Sequence, residues 1–125
     1  MQVMQIRPSE PVSVDQERLG ALYTQLGEAG AEDVVCRALE ELSLRMTQCD
    51  TLYREGRMPE LRKNVRSLIA IAEQIGMQRL ALVAGDVTGC IDADDPVSLA
   101  ATLSRLLRIG ERSLTAIWDI EDLGI

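Results

Sequence analysis

Apolar side chains that return every three or four residues leave a chain few options, and here they do so through most of its length. Val35, Leu39, Leu42, Met46, Cys49 and Tyr53 step by four and three along one face. Leu61, Val65, Leu68, Ala72 and Ile75 repeat the stepping, as do Leu99, Leu103, Leu106, Gly110, Leu114 and Ile117. A period near 3.6 gathers such residues into one stripe of a helix, whereas a half-buried strand needs strict alternation. No alternating run and no Asn-Gly hairpin signal is present. The aromatics are Tyr23, Tyr53 and Trp118, with no Phe, so the core must be built from Leu, Ile, Val, Ala and Met. That mix favours helices over sheets.

The breaks between stripes set the element count. Residues 1–12 carry Pro8 and Pro11, lack a long periodic pattern, and read as a loose arm. Ser13, three residues before Gln16, offers a capping box for a short first helix through Leu19, Leu22, Tyr23 and Leu26. Gly27 to Gly30 is expected to stop it, and Gly56 to close the second helix. Pro59 suits the first turn of the third helix, and Gly76 falls at its C′ position. Leu80, Ala84, Val87 and Ile91 make a fourth helix, weakened by Gly85 and Gly89. Asp95 then caps and Pro96 starts the fifth. Short links favour antiparallel neighbours. The expected fold is therefore all-α: an antiparallel up-down four-helix bundle with a short additional N-terminal helix, in one domain over residues 13–122.

Several functions are excluded or disfavoured by residue type. The formal net charge of −7 argues against general nucleic-acid binding, which depends on Lys and Arg at phosphates. No apolar run approaches the roughly 20 residues of a membrane span, and the start lacks the basic and apolar regions of a signal peptide. A cytoplasmic protein is expected, with Cys36, Cys49 and Cys90 reduced and mostly buried. A zinc site needs four ligands at closer spacing, usually with His. Asp92, Asp94 and Asp95 lack the Gly and closing Glu of a calcium loop, and helix capping explains them better. No metal or cofactor is expected. Gly85 and Gly89 lack the Lys of a phosphate loop, and packing on a neighbouring helix is their expected role. Ser43 and Ser67 have no histidine partner, so a Ser-His-Asp triad is excluded. Glu40 and Glu41 point in different directions on a helix and read as solvated. Met46 reads as core filler, Met58 and Met77 as covers for the ends of the third helix, and Trp118 as core.

The stretch "RSLIAIAEQIGMQRL", Arg66 to Leu80, carries more specific information. It resembles the histidine-containing phosphotransfer (HPt) domains of bacterial phosphorelays, whose signature runs approximately H-S-L-K-G-S-A-x-x-[IL]-G-A. Ser67 and Leu68 fall on the Ser-Leu pair, Ala72 on the small residue, and Ile75 and Gly76 on the terminating pair. Helix order and lengths agree over about residues 15 to 120. The departures lie at the chemistry: Arg66 stands at the phosphoacceptor position, Ile69 at the usual Lys and Ala70 at the usual Gly. Phosphoacceptance needs a nitrogen lone pair. A guanidinium stays protonated and only donates, and there is no histidine anywhere in the chain.

The resemblance thus implies a pseudo-phosphotransfer module of two-component signal transduction, not an enzyme. It would bind a receiver domain or a histidine kinase through protein–protein contact without accepting phosphate. Arg66 is expected to be exposed, nearly opposite Leu61 and Leu68 at about 100° per residue. Arg62, Ala70 and Glu73 share its face, and Ile69 sits at the boundary. These five, Arg62, Arg66, Ile69, Ala70 and Glu73, form the expected partner-binding set. Arg54, Arg57, Arg62, Lys63 and Arg66 place five of the thirteen basic residues in one short stretch of an acidic chain. Two other readings stay open. One is a solvated face on a structural or self-associating helical adaptor, for instance a homodimer. The other is a ligand site inside the bundle, which needs polar groups converging on the core.

Overall fold

The structure, a computed structural model, describes the backbone of residues 15–122 and the side chains of residues 15–117. The expected arm, Ser13, the side chain of Trp118 and the last three residues lie outside that range. Among the described residues the fold is all-α, with four helices: α1 Gln16–Arg54, α2 Met58–Gln74, α3 Gln78–Asp92 and α4 Pro96–Asp122.

The short first helix is present and ends at Gly27, the start of the expected stop. It is the beginning of α1, broken only at Gly27, whose φ of 76° and ψ of 169° are open to glycine and to little else. Glu28, Ala29 and Gly30 are already helical. The cap is Asp15, whose carboxylate accepts from the Arg18 N–H at 3.1 Å. The stop is thus one residue of positive φ rather than the four residues read from composition.

The three links between helices are built alike. After α1, the Arg57 N–H reaches the Leu52 carbonyl at 3.0 Å and the Gly56 N–H reaches Tyr53 at 3.1 Å. After α2, Met77 bonds Ala72 at 2.8 Å and Gly76 bonds Glu73 at 3.3 Å. After α3, Asp95 bonds Cys90 and Asp94 bonds Ile91, both at 3.1 Å. Each is a Schellman closure, which satisfies the last carbonyls of one helix and needs a left-handed residue at C′. Gly56, Gly76 and Asp94 fill that place with φ of 69°, 79° and 52°. Asp is one of the few other residues that enters this region readily. Asp95 then caps α4, accepting from the Ser98 N–H at 3.1 Å. Hydrogen bonding from the Ser98 side chain, and then from its backbone N–H, holds the Asp95 carboxyl below the usual range.

Such tight links bring successive helices together: α1 packs on α2, α2 on α3 and α3 on α4, with a smaller contact between α1 and α4. At that contact a side chain on Gly110 would collide with Met46, so α4 approaches α1 where a Cβ is missing. The buried residues form one cluster. It includes the whole α2 stripe, Leu61, Val65, Leu68, Ala72 and Ile75, none of it exposed. Leu42, Leu80, Leu106, Ile109 and Ile117 join it from the other helices. Met77 is buried within the α2–α3 link, Met46 lies in the core and Met58 is half-buried.

Two expectations fail here. Gly85 and Gly89 do not serve helix packing, since a Cβ at either would meet nothing within 4 Å. The cysteines also divide: Cys49 is buried, Cys90 half-buried and Cys36 exposed. Cys36 directly follows the stripe residue Val35, which turns it about 100° away from the core. Burial pushes the Cys49 thiol up, against the hydrogen bond from Asn64 and the charge of Arg45. At neutral pH a thiol reagent should therefore label Cys36 first. Cys49 should react on the order of a hundredfold more slowly, through opening of the fold. Mass spectrometry of timed alkylation checks this, and equal rates at the two thiols would contradict the burial of Cys49.

Candidate functional site

The outward stripe of α2 is set by the same helical geometry that buries Leu61 and Leu68. Pro59, Arg62, Lys63, Arg66, Ser67 and Ala70 recur at intervals of three and four and line an open hollow of ≈ 470 Å³. Arg66 and Ala70 are exposed, Glu73 is exposed one turn on, and Arg62 and Ile69 are half-buried. The expected exposure of Arg66 and the boundary position of Ile69 are thus observed.

The charges around this hollow differ in how they are matched. Arg54 pairs with Asp50 at 3.1 Å, and Arg57 with Glu55 at 3.5 Å and Glu60 at 3.8 Å. These are exposed helix-surface pairs of the ordinary kind. Arg62 is different. Its Nε donates to Asp92 Oδ1 at 2.7 Å and its Nη2 to Oδ2 at 3.0 Å, a two-pronged clasp from the start of α2 to the end of α3. That clasp raises the Arg62 guanidinium and holds the Asp92 carboxyl below the usual range, with the Arg66 charge acting in the same direction on Asp92. Arg62 was expected to meet a partner; here its fork is already occupied within the chain. Asp92, read as a capping residue, is the other half of the clasp. Lys63 and Arg66 make no ion pair within 4 Å among the described residues.

Two further hollows flank α2. On the α3 side, Ile69, Glu73, Gln78, Ala81, Leu82, Gly85 and Asp86 line one of ≈ 490 Å³. Leu82 is 57% exposed there, off the buried Leu80–Ala84–Val87 stripe. Ile69 and Glu73 of the expected set face this second hollow, while Arg62, Arg66 and Ala70 face the first. The set is therefore split across two adjoining surfaces of α2. Ala81, Leu82 and Asp86 were not singled out from sequence, and Gly85 only as a helix-packing residue. A large apolar residue displaced from its helix stripe, as Leu82 is, was the available signal.

On the α1 side a hollow of ≈ 590 Å³ is lined by Arg45, Thr51, Leu52, Glu60, Lys63 and Asn64 among others. Asn64 was missed altogether. It lies in the α2 core stripe and is buried, 5% exposed. Its amide donates to the Arg45 carbonyl at 2.8 Å and to Cys49 Sγ at 3.1 Å, and its oxygen accepts from Arg45 Nη1 at 2.8 Å. Arg45 in turn donates to Glu41 at 2.8 Å, so Glu41 is not the freely solvated carboxylate expected. Every fully buried side-chain nitrogen and oxygen among the described residues has a partner. Asn64 thus meets its partners within the chain.

Comparison with protein-family models, curated proteins and solved structures found no match. The site therefore rests on its own geometry. No group of three His, Cys, Asp or Glu among the described residues is placed to hold a metal ion. No helix among them is long and apolar enough to cross a membrane.

Proposed function

We propose that this chain is an HPt-like signalling module that docks a receiver domain, or a histidine kinase module, without accepting phosphate. On this reading the four helices form an antiparallel bundle, and the protein works in the cytoplasm as a competitor or sequestering partner. One observation carries the reading: Arg66, at the position the resemblance gives to the phosphoacceptor, is exposed and without an ion pair among the described residues. It lines an open hollow, while the neighbouring Asp92 is held by Arg62. A guanidinium there cannot take up phosphate, but it can meet a carboxylate through charge-assisted hydrogen bonds. Ala70, Ile69, Ala81 and Leu82 supply apolar surface beside it, where a partner can exclude water from the contact.

The test is binding by purified receiver domains from the same genome. Arg66→Glu is expected to weaken the complex by about tenfold or more, since like charges across an interface are repelled. Unchanged affinity would remove Arg66 from the interface. Incubation with a phosphorylated receiver should leave no acid-labile phosphate on this chain, and finding such phosphate would overturn the reading.

The exposed Leu82 also favours a second reading, self-association through the α2–α3 surface. Light scattering separates the two. A tight dimer that loses affinity on Leu82→Glu and ignores Arg66→Glu would favour the adaptor.

A further inference from the structure

We propose that the hollow around Arg66 receives a phosphoryl group that remains on the partner's aspartate. The module would then prefer the phosphorylated form of its receiver. This rests on the docking reading above and specifies which state of the partner is bound.

Charge matching is the first argument. Of the five cations between residues 54 and 66, three are matched: Arg54 by Asp50, Arg57 by Glu55 and Glu60, Arg62 by Asp92. Lys63 and Arg66, three residues apart on α2, line the same hollow and have no ion pair among the described residues. Two positive charges therefore converge on one surface of a chain whose net charge is −7. A single carboxylate opposite them would leave one cation unmatched as water is excluded. A phosphoryl group, carrying about −1.5 to −2 at neutral pH, matches both. The clasp on Asp92 matters as well. It commits both carboxylate oxygens to Arg62, so Asp92 acts on Arg66 only through its charge and not through an ion pair within 4 Å.

The shape of the hollow points to a protein-borne group rather than a free anion. The hollow is open, and its cations are surface side chains that water and salt screen. A small anion resting there keeps most of its hydration and gains little. A partner that covers Pro59 and Ala70 removes that water, and the same two cations then act at lower dielectric. Ser67 adds a hydroxyl to the lining. It now donates to the Lys63 carbonyl at 3.3 Å, a long bond that a phosphoryl oxygen could replace. No bond to phosphorus is made or broken: Arg66 has no lone pair to offer, so the group stays on its donor.

The experiment compares the intact chain's affinity for purified receiver domains in two forms, unmodified and as the beryllofluoride adduct that mimics the acyl phosphate. The adduct is expected to bind about tenfold more tightly, in line with added charge-assisted hydrogen bonds. Lys63→Ala and Arg66→Ala should each shrink that preference towards unity while keeping the parent's helical circular dichroism. Equal affinity for both forms of a receiver that does bind would overturn this inference and leave the docking reading intact. Failure of every receiver in both forms would overturn the docking reading itself, and this inference with it. Sub-millimolar binding of inorganic phosphate alone would overturn the requirement for a covering partner.

Discussion

Replacing Gly76 by alanine is expected to cost about 2–4 kcal/mol, through left-handed backbone strain and a steric clash acting together. Gly76 holds φ at 79° to close α2, a region where a Cβ crowds the following carbonyl. That added Cβ would also lie 2.9 Å from the Asp15 carbonyl oxygen and 3.0 Å from Asp15 Cβ. The chain cannot retreat freely, because Asp15 donates its N–H to the Gly76 carbonyl at 2.8 Å and accepts from Gln78 Nε2 at 2.9 Å. Arg18 adds a bond to the Gln74 carbonyl at 3.4 Å. The start of α1 is thus tied to the α2–α3 link, and a side chain at Gly76 pushes it off. Gly56→Ala provides the control. Its φ is 69°, but a Cβ there meets nothing within 4 Å. Only the backbone strain remains, at about 1 kcal/mol. Thermal unfolding should show a loss on the order of 10 °C for Gly76→Ala and clearly less for Gly56→Ala. Equal losses would mean that the contact with Asp15 does not constrain the fold.

Much of this frame was legible because it depends on neighbours in sequence. The stripe from Leu61 to Ile75 is buried throughout, since a 3.6-residue period fixes which side chains share a face whatever they pack against. Gly76 at C′, Pro59 in the first turn and Asp95 as a cap follow from backbone requirements that a few adjacent residues meet. The outward position of Arg66 comes from the same periodicity. What was not legible depends on residues brought together from different helices. Nothing near Arg62 in sequence announces that its guanidinium closes on Asp92, thirty residues away. The hollow lined by Ile69 and Leu82 exists only once α2 and α3 are side by side. Asn64 reads as a polar residue beside Lys63 until Arg45 and Cys49 are placed against it. The end of the first helix was legible only coarsely: Gly27 and Gly30 look alike in composition, and only Gly27 takes the non-helical backbone.

Asn64→Leu should lower stability by about 2–3 kcal/mol although it adds apolar volume to an apolar core, because it strands buried polar partners. Leucine at this position cannot donate to the Arg45 carbonyl or to Cys49 Sγ, and it cannot accept from the Arg45 guanidinium. The loss falls chiefly on Arg45, whose side chain is only 29% exposed and keeps a single partner, Glu41 at 2.8 Å. A charge left half-buried with fewer partners costs more than the bond it has lost. Removing both ends together should therefore be milder than the two changes taken separately. In a cycle of Asn64→Leu, Arg45→Met and the double variant, the double change is expected to fall short of the summed losses by about 1 kcal/mol. Denaturant unfolding of the four proteins measures this. Additive losses would mean that Asn64 and Arg45 act independently, and that this bond does not set how α1 seats on α2. The coupling bears on the outer surface as well. Asn64 lies between Lys63 and Arg66 in sequence, on the inner side of the same turns of α2. Its bonds to α1 fix the rotation of α2 about its axis, and that rotation decides which way the Lys63 and Arg66 side chains project. On the docking reading proposed above, Asn64→Leu is accordingly expected to weaken receiver binding even at temperatures where the chain remains fully folded.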